Sequence, residues 1–75
     1  MTVEKRKLIG KRIRLHRLKR RLSQMGIAQQ LGVGHATISS WERGQRAIAA
    51  DMLCRLAEAL NVAAAELLPE EGAGE

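Results

Sequence analysis

The amino-acid sequence predicts an all-α domain of five helices, and three observations carry this prediction. Apolar side chains recur three and four residues apart along most of the chain, which is the spacing of one face of an α-helix. Strand-forming residues are scarce, since the chain has no Phe and no Tyr and little alternation of apolar and polar positions. Residues 22–44 indicate two short helices joined by a glycine turn. A chain of 75 residues forms one domain with a small core.

The first helix is expected from about Val3–Glu4 to Arg20. Ile9, Ile13 and Arg17 are spaced four residues apart and define its inner face, with Leu18 beside them. Lys and Arg fill the other face, and those at the C-terminal end suit the negative end of the helix dipole.

The second and third helices are the pair within residues 22–44. The second is expected over Gln24 to Leu31, because Ser23 is a suitable N-cap and Gly32 suits a left-handed end. The third is expected from about His35 to Arg43, ended by Gly44. Their inner faces are formed by Ile27, Ala28, Leu31, Ile38 and Trp41.

The fourth helix is expected from about Ala50 to Leu60, and a short fifth helix over Ala63 to Leu68 is stopped by Pro69. The domain therefore covers residues 1–68. Residues 69–75 have nothing to bury, so we predict a disordered tail. The inner stripe of the fourth helix consists of Leu53, Leu56, Ala57 and Leu60.

Charge is divided unevenly along the chain. Residues 1–46 hold twelve Lys and Arg against Glu4 and Glu42, a balance of +10. Residues 47–75 hold Arg55 against six acidic residues, a balance of −5. This asymmetry favours a nucleic-acid-binding face, and the alternative is a solvated run of charge.

Several classes of protein are not indicated. The single cysteine, Cys54, fits a reducing cytosol, where it is either redox-sensitive or an idle thiol. No apolar run approaches the roughly 20 residues of a membrane span, and residues 1–10 lack a secretion signal, so we expect a cytoplasmic protein. His16, His35 and Cys54 have no metal-ligand spacing. We find no catalytic constellation or phosphate loop, so neither an enzyme nor a cofactor is expected.

Many positions of residues 9–68, about four-fifths of the chain, follow one known pattern in order and with its gaps. They are Ile9, Gly10, Ile13, Arg14, Arg17, Leu22, Ser23, Gln24, Ala28, Leu31, Gly32, Val33, Thr37, Ile38, Ser39, Trp41, Glu42, Gly44, Leu53, Leu56, Ala57, Leu60 and Leu67. The chain thus resembles the phage repressor/Cro-like (XRE) helix-turn-helix family. This resemblance implies a lambda-repressor-like DNA-binding domain with its helix-turn-helix at helices 2–3.

The resemblance assigns surface residues to DNA, and for each the alternative is an ordinary solvated side chain. Because the surface facing the groove has no Arg, Gln or Asn, we expect modest direct readout and a larger share from phosphate contacts and DNA shape. The implied base contacts are His35, Ala36, Ser39 and Ser40. The implied phosphate contacts are Gln24, Arg17, Thr37, Arg43, Gln45 and Arg46.

Two further roles follow from the resemblance. Arg17 and Glu42 are expected to form a partly buried ion pair, the alternative being two independent surface charges. The family often has Pro and Ser where this chain has Ile48 and Ala49, so the fourth helix lacks a side-chain cap and Ile48 is expected to be exposed. Relatives dimerise near this region, and local packing is the alternative. The dimer candidates are Ile48, Met52, Val62 and Leu68.

The implied function is that of a small dimeric bacterial or phage repressor, or a restriction-modification controller, that binds double-stranded DNA at a pseudo-palindrome. A contact with RNA polymerase would instead give activation. No sensor domain is evident, so no small-molecule ligand is expected. Two alternatives remain open: an antitoxin of the same fold whose main partner is a toxin, and a membrane-surface role for the basic first helix.

Overall fold

The computed structural model describes residues 2–69 and contains four α-helices and one short 3₁₀ turn within them. No strand occurs in this range, and the predicted all-α fold is confirmed. Residues 70–75 of the predicted tail lie outside the described residues. The elements are α1 (Val3–Lys19), α2 (Gln24–Leu31), α3 (His35–Glu42), α4 (Ala50–Leu60) and the 3₁₀ turn (Ala64–Glu66).

The predicted fifth helix is wrong, because only the 3₁₀ turn Ala64–Glu66 forms there. Its backbone bonds span three residues: the Glu66 amide donates to Ala63 O at 2.9 Å, and the Leu67 amide donates to Ala64 O at 3.0 Å. Ala63 has no side chain that could cap a helix. Leu67 is fully buried, and Pro69 disfavours helical geometry at the preceding residue, so the segment stops after one turn.

Helix α1 is capped by the Thr2 hydroxyl, which accepts a hydrogen bond from the Lys5 amide at 3.1 Å. Ile9, Ile13 and Arg17 are buried as predicted. Leu18, expected beside them, is exposed, and this prediction is wrong. One residue beyond Arg17 is a rotation of about 100°, which carries the side chain off the inner face.

Helices α2 and α3 meet at the predicted glycine turn. The Ser23 hydroxyl accepts from the Gly26 amide at 2.9 Å and caps α2. Gly32 has φ 71°, and the Val33 amide donates back to Ala28 O at 3.0 Å, which closes the end of α2. These local signals confirm the predicted bounds of α2.

The core lies between the four helices, and the loop before α4 also contributes to it. Ile48 is buried, so the prediction that it is exposed is wrong. Its apolar side chain anchors the loop from α3 to α4. Ala49 begins α4 without a side-chain cap, as expected. The buried apolar residues are Ile9, Ile13, Ile27, Ala28, Leu31, Ile38, Trp41, Ile48, Leu53, Leu56, Ala57, Ala59, Leu60 and Leu67.

Two arginines bond to backbone carbonyl groups at or beyond the ends of other elements. Arg12 of α1 donates from Nη1 to the carbonyl oxygen of Leu68, beyond the 3₁₀ turn. Arg55 of α4 donates from Nη2 to the carbonyl oxygen of Leu31 at 3.0 Å, at the end of α2. Both bonds satisfy carbonyl groups that have no partner within a helix.

Helix α1 approaches the C-terminal end of α3 at backbone distance. A Cβ atom added at Gly10 would lie 2.4 Å from Trp41 O and 2.5 Å from Glu42 O. A Cβ atom added at Gly44, which has φ 72°, would lie 2.7 Å from the Cα of Lys7 in α1. The absence of a side chain at both glycines therefore allows the two helices to touch.

We predict that Gly10→Ala destabilises the domain although alanine is the better helix former. The clash with the α3 carbonyl groups costs about 1–3 kcal/mol or more, against about 1 kcal/mol gained in helix propensity. Urea denaturation measures the difference in unfolding free energy. Gly34→Ala is the matched control, because a Cβ atom added at Gly34 would meet only Thr37 Oγ1, at an ordinary contact distance of 3.9 Å. Equal stability of the two variants would contradict the close approach.

Candidate nucleic-acid interface

Helix α3 packs one side in the core and presents the other to solvent. Ile38 and Trp41 are buried, and the spacing of four and three residues puts Ala36, Ser40 and Arg43 on the opposite side. The predicted base contacts are accessible there: His35 and Ala36 are exposed, and Ser39 and Ser40 are half-buried. This outer face is narrow and polar, which suits a helix in the major groove of DNA.

A buried ion pair joins α1 to the end of α3. Arg17 Nε donates to Glu42 Oε2 at 2.5 Å, and Arg17 Nη2 donates to Glu42 Oε1 at 3.0 Å. Only 8% of Arg17 and 7% of Glu42 is exposed. Two parallel bonds between a guanidinium and a carboxylate fix the distance and the angle between their helices.

The start of α2 joins the same network. Arg17 Nη1 donates to the carbonyl oxygen of Leu22 at 2.8 Å, and Gln24 Nε2 donates to Glu42 Oε1 at 3.0 Å. Glu42 thus accepts from α1 and from α2 while it belongs to α3. The ends of Arg17 and Gln24, both predicted phosphate contacts, therefore lie against Glu42.

The other predicted phosphate contacts form a surface group at the flank of α3. Arg43 Nη2 donates to Gln45 Oε1 at 3.2 Å, and Arg46 Nη1 lies 3.5 Å from Thr37 Oγ1. Three of them are exposed and Thr37 is half-buried. The structure thus places two guanidinium groups beside α3, one paired with Gln45 and the other with Thr37.

The remaining predicted residues lie elsewhere. Met52, Val62 and Leu68 are half-buried and pack against the core around α4 and the 3₁₀ turn. Cys54 is exposed. Within residues 2–69, no group of three His, Cys, Asp or Glu side chains is placed to hold a metal ion. None of the helices in that range combines the length and apolar character that a membrane crossing requires.

The comparisons with known proteins agree with this geometry. A sequence model described as Helix-turn-helix matches residues 13–67, which run from the middle of α1 through the 3₁₀ turn. The chain belongs to the Cro/C1-type (XRE) helix-turn-helix family. Members of this family are DNA-binding transcription regulators and not enzymes. The partner that the family implies is double-stranded DNA.

Three relatives illustrate this helix-turn-helix assignment. An uncharacterized HTH-type transcriptional regulator, YazB of Bacillus subtilis (strain 168), is 37% identical over 62 residues, which cover 83% of this chain and 90% of YazB. The DNA-binding domain of BldD is 32% identical with a TM-score of 0.82 and covers 92% of this chain and 100% of that domain. The restriction-modification controller protein C.AhdI of Aeromonas hydrophila is 32% identical with a TM-score of 0.78 and covers 83% and 94% of the two chains.

Sequence reasoning missed two features of the site. The bond from Gln24 to Glu42 links residues 18 positions apart, and no local pattern indicates it. The close approach at Gly10 had a signal, because a glycine inside a helix costs about 1 kcal/mol relative to alanine and needs a reason to be there. That reason is the contact of α1 with the α3 carbonyl groups.

We predict that Glu42→Ala lowers the free energy of unfolding by about 3–5 kcal/mol, because it leaves the buried Arg17 charge without a partner. Thermal and urea denaturation measure the decrease. Replacing both partners, as Arg17→Met with Glu42→Leu, is expected to give a domain more stable than the single variant.

Glu58→Ala is the matched control, since Glu58 is an exposed carboxylate on α4. It should change stability by less than about 0.5 kcal/mol. If the Glu42→Ala protein has the same melting temperature as the Glu58→Ala control, the ion pair contributes nothing to stability.

Proposed function

We propose that this helix-turn-helix protein is a homodimeric, sequence-specific repressor that reads a pseudo-palindromic operator with α3 in the major groove. The observation that carries the proposal is the outer face of α3. It is small and polar, two arginines flank it, and a buried network ties its base to α1 and α2. A helix held this way can be inserted into DNA without rearranging.

Four side chains on α3 are proposed to face the bases. His35, exposed at the first position of α3, suits the N7 or O6 acceptors of guanine, and the Ala36 methyl suits the methyl group of thymine. Ser39 and Ser40 donate or accept with any base. Since none of these side chains forms two parallel bonds to a base, we propose that DNA shape and phosphate contacts supply much of the specificity.

Phosphate contacts are proposed on both sides of α3. They come from two hydrogen-bonded pairs beside α3, Arg43 with Gln45 and Arg46 with Thr37. At the other side, the N-terminus of α2 brings backbone amides and Gln24 to the surface. Arg17 acts there mainly by holding Glu42 and Gln24 in place, because its side chain is 9% exposed and already donates three hydrogen bonds.

Dimerisation is proposed at the end of the domain formed by α4 and the 3₁₀ turn. Met52, Val62 and Leu68 are half-buried apolar residues there, so a partner copy could cover their exposed parts. Ile48, the fourth candidate, is buried in the core and offers a partner copy little surface. Two α3 helices related by two-fold symmetry would then lie about 34 Å apart, one turn of DNA.

Repression follows if the bound dimer excludes RNA polymerase from a promoter. The similarity to a restriction-modification controller, at 32% identity over most of both chains, supports a small DNA-binding regulator. On this proposal the concentration of the protein itself sets operator occupancy.

Selection of binding sites from a random DNA library, at near-physiological salt, tests the proposal. We expect a two-fold symmetric site with half-sites about 10 base pairs apart, centre to centre. Matched selections with His35→Ala and Ser39→Ala should alter the preferred bases within each half-site. If no sequence is enriched, the repressor proposal fails, and an antitoxin-type role with a toxin as partner becomes the better explanation.

A second prediction concerns the flanking arginines. The double variant Arg43→Gln with Arg46→Gln should weaken binding to all DNA sequences alike. The slope of the logarithm of the binding constant against the logarithm of salt concentration should fall by about one unit for each phosphate that is no longer neutralised. Fluorescence anisotropy over a salt series measures both. Lys11→Gln is the control, because Lys11 is an exposed cation on the side of α1 away from α3. If the salt dependence of DNA binding is unchanged in the double variant, these arginines do not contact phosphates.

A further inference from the structure

Helix α1 carries a second apolar row on its outer side. Leu8, Leu15 and Leu18 are 38%, 51% and 49% exposed. Their spacing of seven and three residues puts them on one side of the helix, opposite Ile9 and Ile13. A helix at the surface of a domain normally has one apolar side, so this outer row needs a separate explanation.

The outer row borders a shallow depression. Leu15 and Leu18 line it together with Lys11 and Arg14, and its volume is ≈ 420 Å³. Apolar and cationic groups side by side are the composition of a protein-binding surface, where buried apolar contacts supply affinity and the charges select the partner.

The outer row also points away from the proposed DNA interface. The opposite side of α1 holds Gly10 and Arg17 against α3. None of the residues assigned to bases or phosphates belongs to the outer row. A partner on the outer row would therefore leave α3 free to bind DNA.

Charge selects among the occupants of this surface. Helix α1 has one acidic residue, Glu4, against eight Lys and Arg residues. A second copy of the same row would bring like charges together, which is unfavourable. A segment with leucine-like residues on one side and carboxylates beside them would instead satisfy both parts of the surface.

We infer that the outer row of α1 is a docking surface for an acidic amphipathic helix of a partner protein. Leu8, Leu15 and Leu18 contact its apolar side, and Lys11 and Arg14 pair with its carboxylates. The partner helix lies along the outer side of α1, with its apolar face on the leucines. The inference is independent of the proposed operator, because it concerns the opposite side of α1.

The probe for the test is a fluorescein-labelled peptide of about three heptads, with leucine at positions a and d and glutamate at e and g. Anisotropy titration of the full chain should give saturable binding that weakens as salt is raised. Leu15→Ser with Leu18→Ser should weaken binding about tenfold, since two leucine side chains no longer bury apolar surface against the peptide. Lys11→Glu with Arg14→Glu should also weaken it.

Two controls accompany the titration. Met25→Ser removes an exposed apolar side chain outside the row, at 58% exposure, and should leave peptide binding unchanged. A peptide with lysine in place of glutamate should not bind. The leucine double variant should also melt and bind DNA like the parent chain, so its effect on the peptide is separable from any failure of the repressor proposal.

Four results would overturn the inference. The first is the absence of saturable binding to the acidic peptide. The second is peptide binding whose affinity is unchanged by the leucine substitutions. The third is a dimer that the leucine substitutions convert to a monomer in analytical ultracentrifugation, which would assign the row to a second copy. The fourth is binding of phosphatidylserine vesicles through these leucines without binding of the peptide, which would assign it to a membrane.

Discussion

The contact between α1 and the C-terminal end of α3 is the constraint on which the rest of the structure depends. Gly10 and Gly44 let the two helices approach without intervening side chains. Further along α1, Arg17 bonds twice to Glu42, and Gln24 brings the start of α2 to the same carboxylate. Three helices are therefore positioned by one backbone contact and one carboxylate. The orientation of the DNA-reading face follows from them.

A buried ion pair is an unusual choice for a small core, since apolar residues of similar size often give equal or greater stability. The geometry of this pair offers a reason. Glu42 accepts three hydrogen bonds, two from Arg17 and one from Gln24, and each of them fails if α3 slides or turns. Apolar packing tolerates such movement better. We interpret the network as a device that fixes one arrangement of α1, α2 and α3.

The features that could be predicted from the sequence are those with local causes. Ser23 and Gly32 set the bounds of α2, because a cap and a left-handed end act within a few residues. The errors arise where distant packing decides. Ile48 is expected to be exposed, yet the loop before α4 places it in the core. The segment around Leu67 buries that one side chain without forming an α-helix. The Gln24 bond to Glu42 likewise depends on how α2 meets α3.

The leucines on the outside of α1 bear on function for a related reason. A domain of this size has a small core, and each leucine held outside forgoes the stabilisation that its burial would give. Leu8, Leu15 and Leu18 nevertheless share one side of α1 and lie among lysines and arginines. Neighbouring exposed apolar side chains, as Leu15 and Leu18 are, are typical of a binding surface when charged residues surround them. Helix α1 then has two roles, holding α3 in place on one side and meeting a protein partner on the other.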